Sequence, residues 1–243
     1  QDLLKKIHDQ EISLLSLDSV QLVAILKNLN ELYRTGTPFV TDHEYDQIYL
    51  TLKNIEPGNN FFEEVEDEIE ETFSSKRIEH SKPMLSIDKA YSFEEIKKYL
   101  IRVGKHAGDL VKNTYAFKAT AKLDGMAGSY ENNQLITRGD GQFGFDITNI
   151  FHQGVLALGG KNTGAGEIVL KQKYFDQYLV DKFSHPRNVI VGIAGSDQIN
   201  VEARKALDSS SVLFIPHSKL EGWAGTAEEL LSDFYSIMER IRI

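Results

Sequence analysis

Lys122-Leu123-Asp124-Gly125, with Thr137-Arg138-Gly139-Asp140-Gly141, Gly144 and then Asp146-Ile147-Thr148-Asn149 downstream, is the stretch from which the rest of the chain can be placed. Residues 115–122 read as a strand ending on the lysine, and 126–130 as a second strand. Asn132-Asn133 stands where a tight hairpin needs positive φ, which puts a third strand at 134–138. A lysine becomes a nucleophile when burial or a cationic neighbour lowers its pKa, or when a base takes its proton. Asp124 alone acts in the opposite direction. Taken alone, the tetrapeptide reads first as a turn whose lysine faces water. Glycines at 139, 141 and 144 let backbone amides approach a phosphate or a ribose, and Arg138 offers a charge-assisted fork. That element by itself is also an ordinary glycine-rich loop, so order and spacing carry the signal.

Outward from this centre the pattern is mixed. Further strands are predicted at 166–170 and 212–215, and helices at 146–156, 174–183, 187–194 and 226–240. Ser92-Phe93-Glu94-Glu95 has the form of a capping box, with Ile96, Tyr99, Leu100 and Val103 on one face behind it. Toward the N-terminus the apolar period becomes helical throughout. Residues 18–34 carry Leu22, Ile25, Leu26 and Leu29 at helical spacing, with Asp18 and Ser19 as N-cap candidates. Thr41-Asp42-His43-Glu44 opens a second helix that Pro57-Gly58 stops. Between the two regions, the run from Glu63 to Glu71 holds seven carboxylates in nine positions. Such a run reads as a solvated linker, since nothing in it sets a metal geometry. The expected architecture is α+β: a helical subdomain at 1–60, an acidic linker at 61–82, and a mixed α/β domain with antiparallel sheets at 83–243.

Composition narrows the chemistry. The 243 residues include 27 basic and 36 acidic side chains, for a net charge of -9, and no cysteine. Disulfide frameworks, thiolate nucleophiles and cysteine-ligated zinc or iron-sulfur sites are thereby excluded. No apolar run approaches the roughly 18 residues of a membrane span. An acidic balance argues against a surface that grips nucleic acid all over. Most of the negative charge lies in the 63–71 run, which leaves room for a local basic groove around Arg138 and Arg187. The first residue is Gln1, not Met, so neither end is read as a biological terminus.

As an ordered series these residues resemble the NAD+-dependent DNA ligases. Their adenylation domain carries K-x-D-G and then T-R-G-D-G-x-x-G-x-D-I-T-x-N, which this chain matches from Lys122 through Asn149. Pro83-Met84-Leu85-Ser86-Ile87 resembles the family's P-M-L-S-L segment, Gly166-Glu167-Ile168 its R-G-E-V strand, and His185-Pro186-Arg187-Asn188 its N-P-R-N turn. Pro38 to Asp46 resembles P-x-I-x-D-x-E-Y-D, the signature of the helical subdomain that recognises nicotinamide mononucleotide (NMN). The last match separates NAD+ users from the ATP-dependent ligases and capping enzymes that share the lysine motif.

The resemblance implies a nucleotidyltransferase domain of the ATP-grasp-like ligase type. Lys122 would take AMP from NAD+ as a phosphoramidate, releasing NMN, for transfer to the 5′-phosphate of a nick in double-stranded DNA, with Mg2+ assisting. Ser86, Ile87, Thr120, Asp124, Gly125, Arg138 and Glu167 would bind the nucleotide. Tyr33, Asp42, Tyr45 and Asp46 would bind the NMN half, and Arg187 would contact DNA or phosphate. No metal site is expected from protein ligands, and the implied compartment is the cytoplasm of a bacterium or, for a virus, of its host.

Several positions depart from the family pattern. The acidic residue expected two before the lysine is Thr120. The arginine of R-G-E is Ala165, the glutamate of G-E-D-I-T is Phe145, and an arginine facing the nick is Gly195. The D-G-x-V-x-K motif and the lysine motif beyond it do not occur after Val212-Leu213-Phe214. The implied protein is therefore the adenylation subunit or fragment of a ligase, with those motifs and the DNA clamp supplied by a second polypeptide or a further C-terminal region. The alternative is a non-catalytic nucleotide-binding or assembly module derived from such an enzyme.

Overall fold

The structure is a computed structural model that describes residues 13–34, 39–40, 42–62, 73, 75–85, 87, 89–106, 117–196 and 198–241; of Tyr33 and Asp42 only the backbone is described. Helices α1 (Ser19–Arg34) and α2 (Asp42–Ile55) come first. Strand β1 (Arg77–Glu79), helix α3 (Phe93–His106) and strands β2 (Phe117–Thr120), β3 (Met126–Glu131), β4 (Gln134–Thr137) and β5 (Phe143–Phe145) follow. Next are α4 (Ile150–Gln153), β6 (Leu156–Ala157), β7 (Gly164–Leu170), α5 (Gln172–Tyr178), α6 (Pro186–Gly195) and α7 (Val201–Asp208). The described chain closes with β8 (Val212–Pro216), β9 (Gly222–Gly225), α8 (Ala227–Ser232) and α9 (Phe234–Ile241).

The fold is α+β, and three separate apolar clusters organise it. In the first, Leu22, Ile25, Leu26 and Leu29 of α1 meet Ile48 and Leu52 of α2 and Phe61 beyond it. Asp18 Oδ1 accepts the Gln21 amide while Gln21 Oε1 accepts the Asp18 amide, a reciprocal cap that starts α1. The Thr41 cap predicted for α2 lies outside the described residues. The second cluster fills a five-stranded sheet of order β4-β3-β7-β8-β6, with Val189, Ile190 and Ile193 of α6 and Ala203, Ala206 and Leu207 of α7 packed on it. The third sits under a two-stranded sheet of β2 and β9, where Leu100 of α3, Leu230 of α8 and Ile237 of α9 converge.

Several elements differ from the reading of the sequence. The sheets are antiparallel except for β6, which pairs parallel to β8. The strand expected to end at 122 stops at Thr120, where β2 leaves its partner Gly222. The helix expected over 146–156 is a single turn, because Asp146 Oδ1 captures the Thr148 amide and hydroxyl and Gly154 ends the turn at φ 122°. The helix expected over 226–240 breaks at Asp233, whose backbone leaves the helical region at φ -122°, ψ 27°. Strand β1 falls inside the stretch expected as a linker and pairs antiparallel with β5. The Asn132-Asn133 hairpin forms as read, with both residues at positive φ. Helix α7 went unpredicted, although Asn200 caps it through the Ala203 amide.

Candidate active site

Lys122 lies on the irregular segment 121–125, which passes from the β2–β9 sheet to the five-stranded sheet. The lysine is exposed and the loop behind it is fastened down. Gly125 is buried, and a Cβ there would come within 2.1 Å of the Ile168 carbonyl, so only glycine allows the loop to sit against β7. Arg187, in the first turn of α6, donates from Nη1 to the Gly125 carbonyl at 2.6 Å. His185, the N-cap residue of α6, accepts the Arg187 amide on Nδ1 at 3.2 Å and approaches Asp124 Oδ2 through Nε2 at 3.0 Å. A neutral ring protonated on Nε2 satisfies both partners. One turn of α6 thus holds two residues of the lysine tetrapeptide.

Glu167 occupies the middle of β7, between Ala127 of β3 and Ile215 of β8. Its side chain takes the sheet face opposite Ile168. Burial pushes its carboxyl up to about 7, against the opposing pull of Arg187, Lys122 and Arg138, while Asp124 adds to the rise. Lys122, Asp124, Arg138 and Arg187 thus all lie within electrostatic reach of Glu167. Arg138 follows β4, and its backbone amide donates to Ala127 at 3.1 Å.

The glycine-rich turn is a tightly bonded loop. Asp140 Oδ1 accepts the Phe143 and Gln142 amides, and its Oδ2 meets Arg77 at 2.6 Å; the Phe143 amide foremost, with the Gln142 amide and the Arg77 charge, holds its carboxyl below the usual carboxylate range. Gly139 adopts φ +55° and Gly141 φ +93°. Buried His80 donates from Nε2 to the Arg138 carbonyl at 3.1 Å, and its own amide donates to Gln142. The Met84 amide donates to Gly141, joining the 83–87 segment to this loop. Leu85 and Ile87 on that segment are 71% and 74% exposed. Ser86 lies outside the described residues. Thr120 ends β2 opposite Gly222.

Of the residues expected to take NMN, Tyr45 and Asp46 face the strap that follows Ile87. Lys89 Nζ meets Asp46 Oδ1 at 2.9 Å and lies 5.4 Å from the ring centroids of both Tyr45 and Tyr49. Tyr91 donates its hydroxyl to the same Asp46 oxygen at 3.3 Å. The side chains of Tyr33 and Asp42 are outside the description.

Lys89, Tyr49, Tyr91, His80 and the role of His185 were not found from sequence. An aromatic pair at i and i+4 beside an aspartate, as in Tyr45, Asp46 and Tyr49, was the available signal for a cation cage. Phe145, where the family pattern has a glutamate, is buried and stacks on Phe73 at 5.2 Å. No group of three or more His, Cys, Asp or Glu with metal-holding geometry occurs among the described residues. Nor is any described helix long and apolar enough to cross a membrane.

Residues 71–209 match the family model of the NAD-dependent DNA ligase adenylation domain. A DNA ligase of Desulfatibacillum aliphaticivorans is 41% identical over 215 residues, covering 88% of this chain and 34% of that protein. Those of Vesicomyosocius okutanii and Ruthia magnifica are 39% and 38% identical, covering 100% and 93% of this chain and 39% and 38% of each relative. The chain therefore spans between a third and two-fifths of the length of these relatives.

Proposed function

The chain belongs to the family of NAD-dependent DNA ligase adenylation domains, and on that premise we propose that Lys122 accepts AMP from NAD+. With one proton lost from the ammonium to water, the neutral Nζ attacks the α-phosphorus in line; the bond from phosphorus to the NMN phosphate oxygen breaks, that oxygen keeps the electron pair, and the nitrogen gives its second proton to water as the phosphoramidate forms. NMN departs as the leaving group, and the AMP passes on to the 5′-phosphate of nicked double-stranded DNA.

The observation that carries this reading is the convergence of Lys122, Asp124, Arg138, Arg187 and Glu167 about one segment. In such a transfer, catalysis is chiefly positioning and cationic neutralisation of phosphate oxygens. Arg138 and Arg187 supply that charge, Glu167 is placed to hold the ribose, and Asp124, fixed by His185, sets the direction from which the lysine approaches. Gly125 and Thr120 bound the loop, Ile87 offers an apolar platform for the base, and Ser86 belongs to the same segment. Tyr45 and Asp46, with Tyr33 and Asp42 of the same subdomain, hold the NMN half. In this picture 1–60 is the NMN-binding unit, 61–82 the linker and 83–243 the transferase domain.

A Mg2+ ion would be carried by the substrate phosphates, beside the charge that Arg138 and Arg187 supply. Such an ion would neutralise charge on the phosphates. A second polypeptide, or further sequence of the same protein, carrying D-G-x-V-x-K and the DNA-encircling modules would complete nick sealing, in a cytoplasmic setting. The test is intact-mass detection of one added AMP after incubation with NAD+ and Mg2+, with and without a polypeptide bearing those motifs. The adduct is expected and Lys122→Ala abolishes it. Absence of the adduct in both arms, with nucleotide still bound, establishes the non-catalytic module instead.

A further inference from the structure

The contact between Lys89 and α2 has no counterpart in the chemistry described so far. Tyr45 and Tyr49 present their rings to Lys89 Nζ from one face of α2, Asp46 pairs with the same ammonium, and Tyr91 bonds Asp46 and packs 6.3 Å from the Tyr49 ring. Aromatic rings around a carboxylate form a cage selective for a compact or planar cation. Nicotinamide in NMN and NAD+ is such a cation, a positively charged aromatic ring. Lys89 is a second one, delivered by the chain itself.

We propose that Lys89 is an affinity-determining residue that occupies the nicotinamide seat, so that NAD+ enters only when the lysine swings out. The inference rests on the reading of Tyr45 and Asp46 as the NMN site. Displacement is feasible because the pair is open to water: the Lys89 side chain is 46% exposed and Asp46 is 33% exposed. An ion pair that exposed is worth little on its own, and the cation–π contacts add modestly to it. A seat closed by such a contact for most of the time lowers apparent affinity by the fraction of time it stands open. Removing the cation therefore tightens NMN and NAD+ binding by about three- to tenfold. The rate of lysine adenylation at saturating NAD+ stays the same, because Lys89 is outside the seat once the substrate is bound.

Titration calorimetry with NMN, and the KM for NAD+ in the adenylation of Lys122, test this in the full chain with Lys89→Met, Lys89→Arg, Asp46→Asn and the Lys89→Met/Asp46→Asn double variant. Tighter NMN binding and a lower KM for Lys89→Met, wild-type behaviour for Lys89→Arg, and lost affinity in the double variant are expected. Binding that Asp46→Asn abolishes but Lys89→Met leaves unchanged or weakens overturns the inference and leaves the seat intact. NMN binding that Asp46→Asn leaves unaltered in both backgrounds, or that no variant shows, overturns the seat itself and the inference with it.

Discussion

Asp124 and His185 are joined by a 3.0 Å contact between carboxylate Oδ2 and ring Nε2, which ties the lysine segment to the first turn of α6. The same ring caps that helix by accepting the Arg187 amide. Positioning of the lysine and stability of α6 are therefore properties of one side chain.

Replacing His185 separates the two. His185→Ala removes both contacts, costing about 1 kcal/mol of stability from the lost cap and slowing lysine adenylation. His185→Asn retains an N-cap acceptor on a shorter side chain, so it recovers the stability while adenylation stays slow. Thermal melting and AMP-adduct kinetics measured side by side check this. Full adenylation activity in His185→Ala would show that Asp124 needs no such support.

Glu167 makes stability depend on pH with a defined sign. Its folded pKa of about 7 lies above its ordinary value of 4.5, so the folded state holds a proton that the unfolded state releases between those limits. The contribution is fully present below pH 4.5 and is lost as pH rises through 7, on the order of 3 kcal/mol. Urea unfolding at pH 5 and pH 8 should show this loss, and Glu167→Gln should shrink it.

Phe145→Glu, which installs the residue of the family pattern, should destabilise the fold by about 3 kcal/mol or more. A carboxylate would be buried against Phe73 in place of a stacked ring. Chemical denaturation measures it. A neutral outcome would mean that Phe73 readily yields its place.

Gly139→Ala should cost about 2 kcal/mol or more, by overpacking and by strain at positive φ. A Cβ at Gly139 would meet the Phe143 carbonyl at 1.9 Å, and the residue sits at φ +55°. Phosphate binding should weaken together with the melting temperature, because the Asp140-anchored loop is one unit.

Much of this was legible because it is local. The α1 cap, the Asn132-Asn133 hairpin and the existence of β3 and β7 each depend on residues a few positions apart, and residue type and run length report them directly. Helix α4 and the break at Asp233 were misread because hydrophobic period does not register a side chain that captures backbone amides, as Asp146 does, or a backbone that departs at one residue. Strands β1 and β9 were missed for a different reason: three or four residues hold no period, and their partners Phe145 and Phe117 are far away in sequence.

The sequence by itself determined that this chain carries Lys122, Asp124, Arg138, Glu167 and Arg187 in the order and spacing of the adenylation domain, because residue type and spacing are local properties of the chain. Only the tertiary structure decided who touches whom. Arg187 reaches the Gly125 carbonyl across 62 positions, and Lys89 reaches Asp46 across 43. Such pairings are set by how sheets and helices pack, and no local pattern encodes them. The same holds for Glu167, whose proton affinity is a consequence of burial and of four charged neighbours brought together by folding.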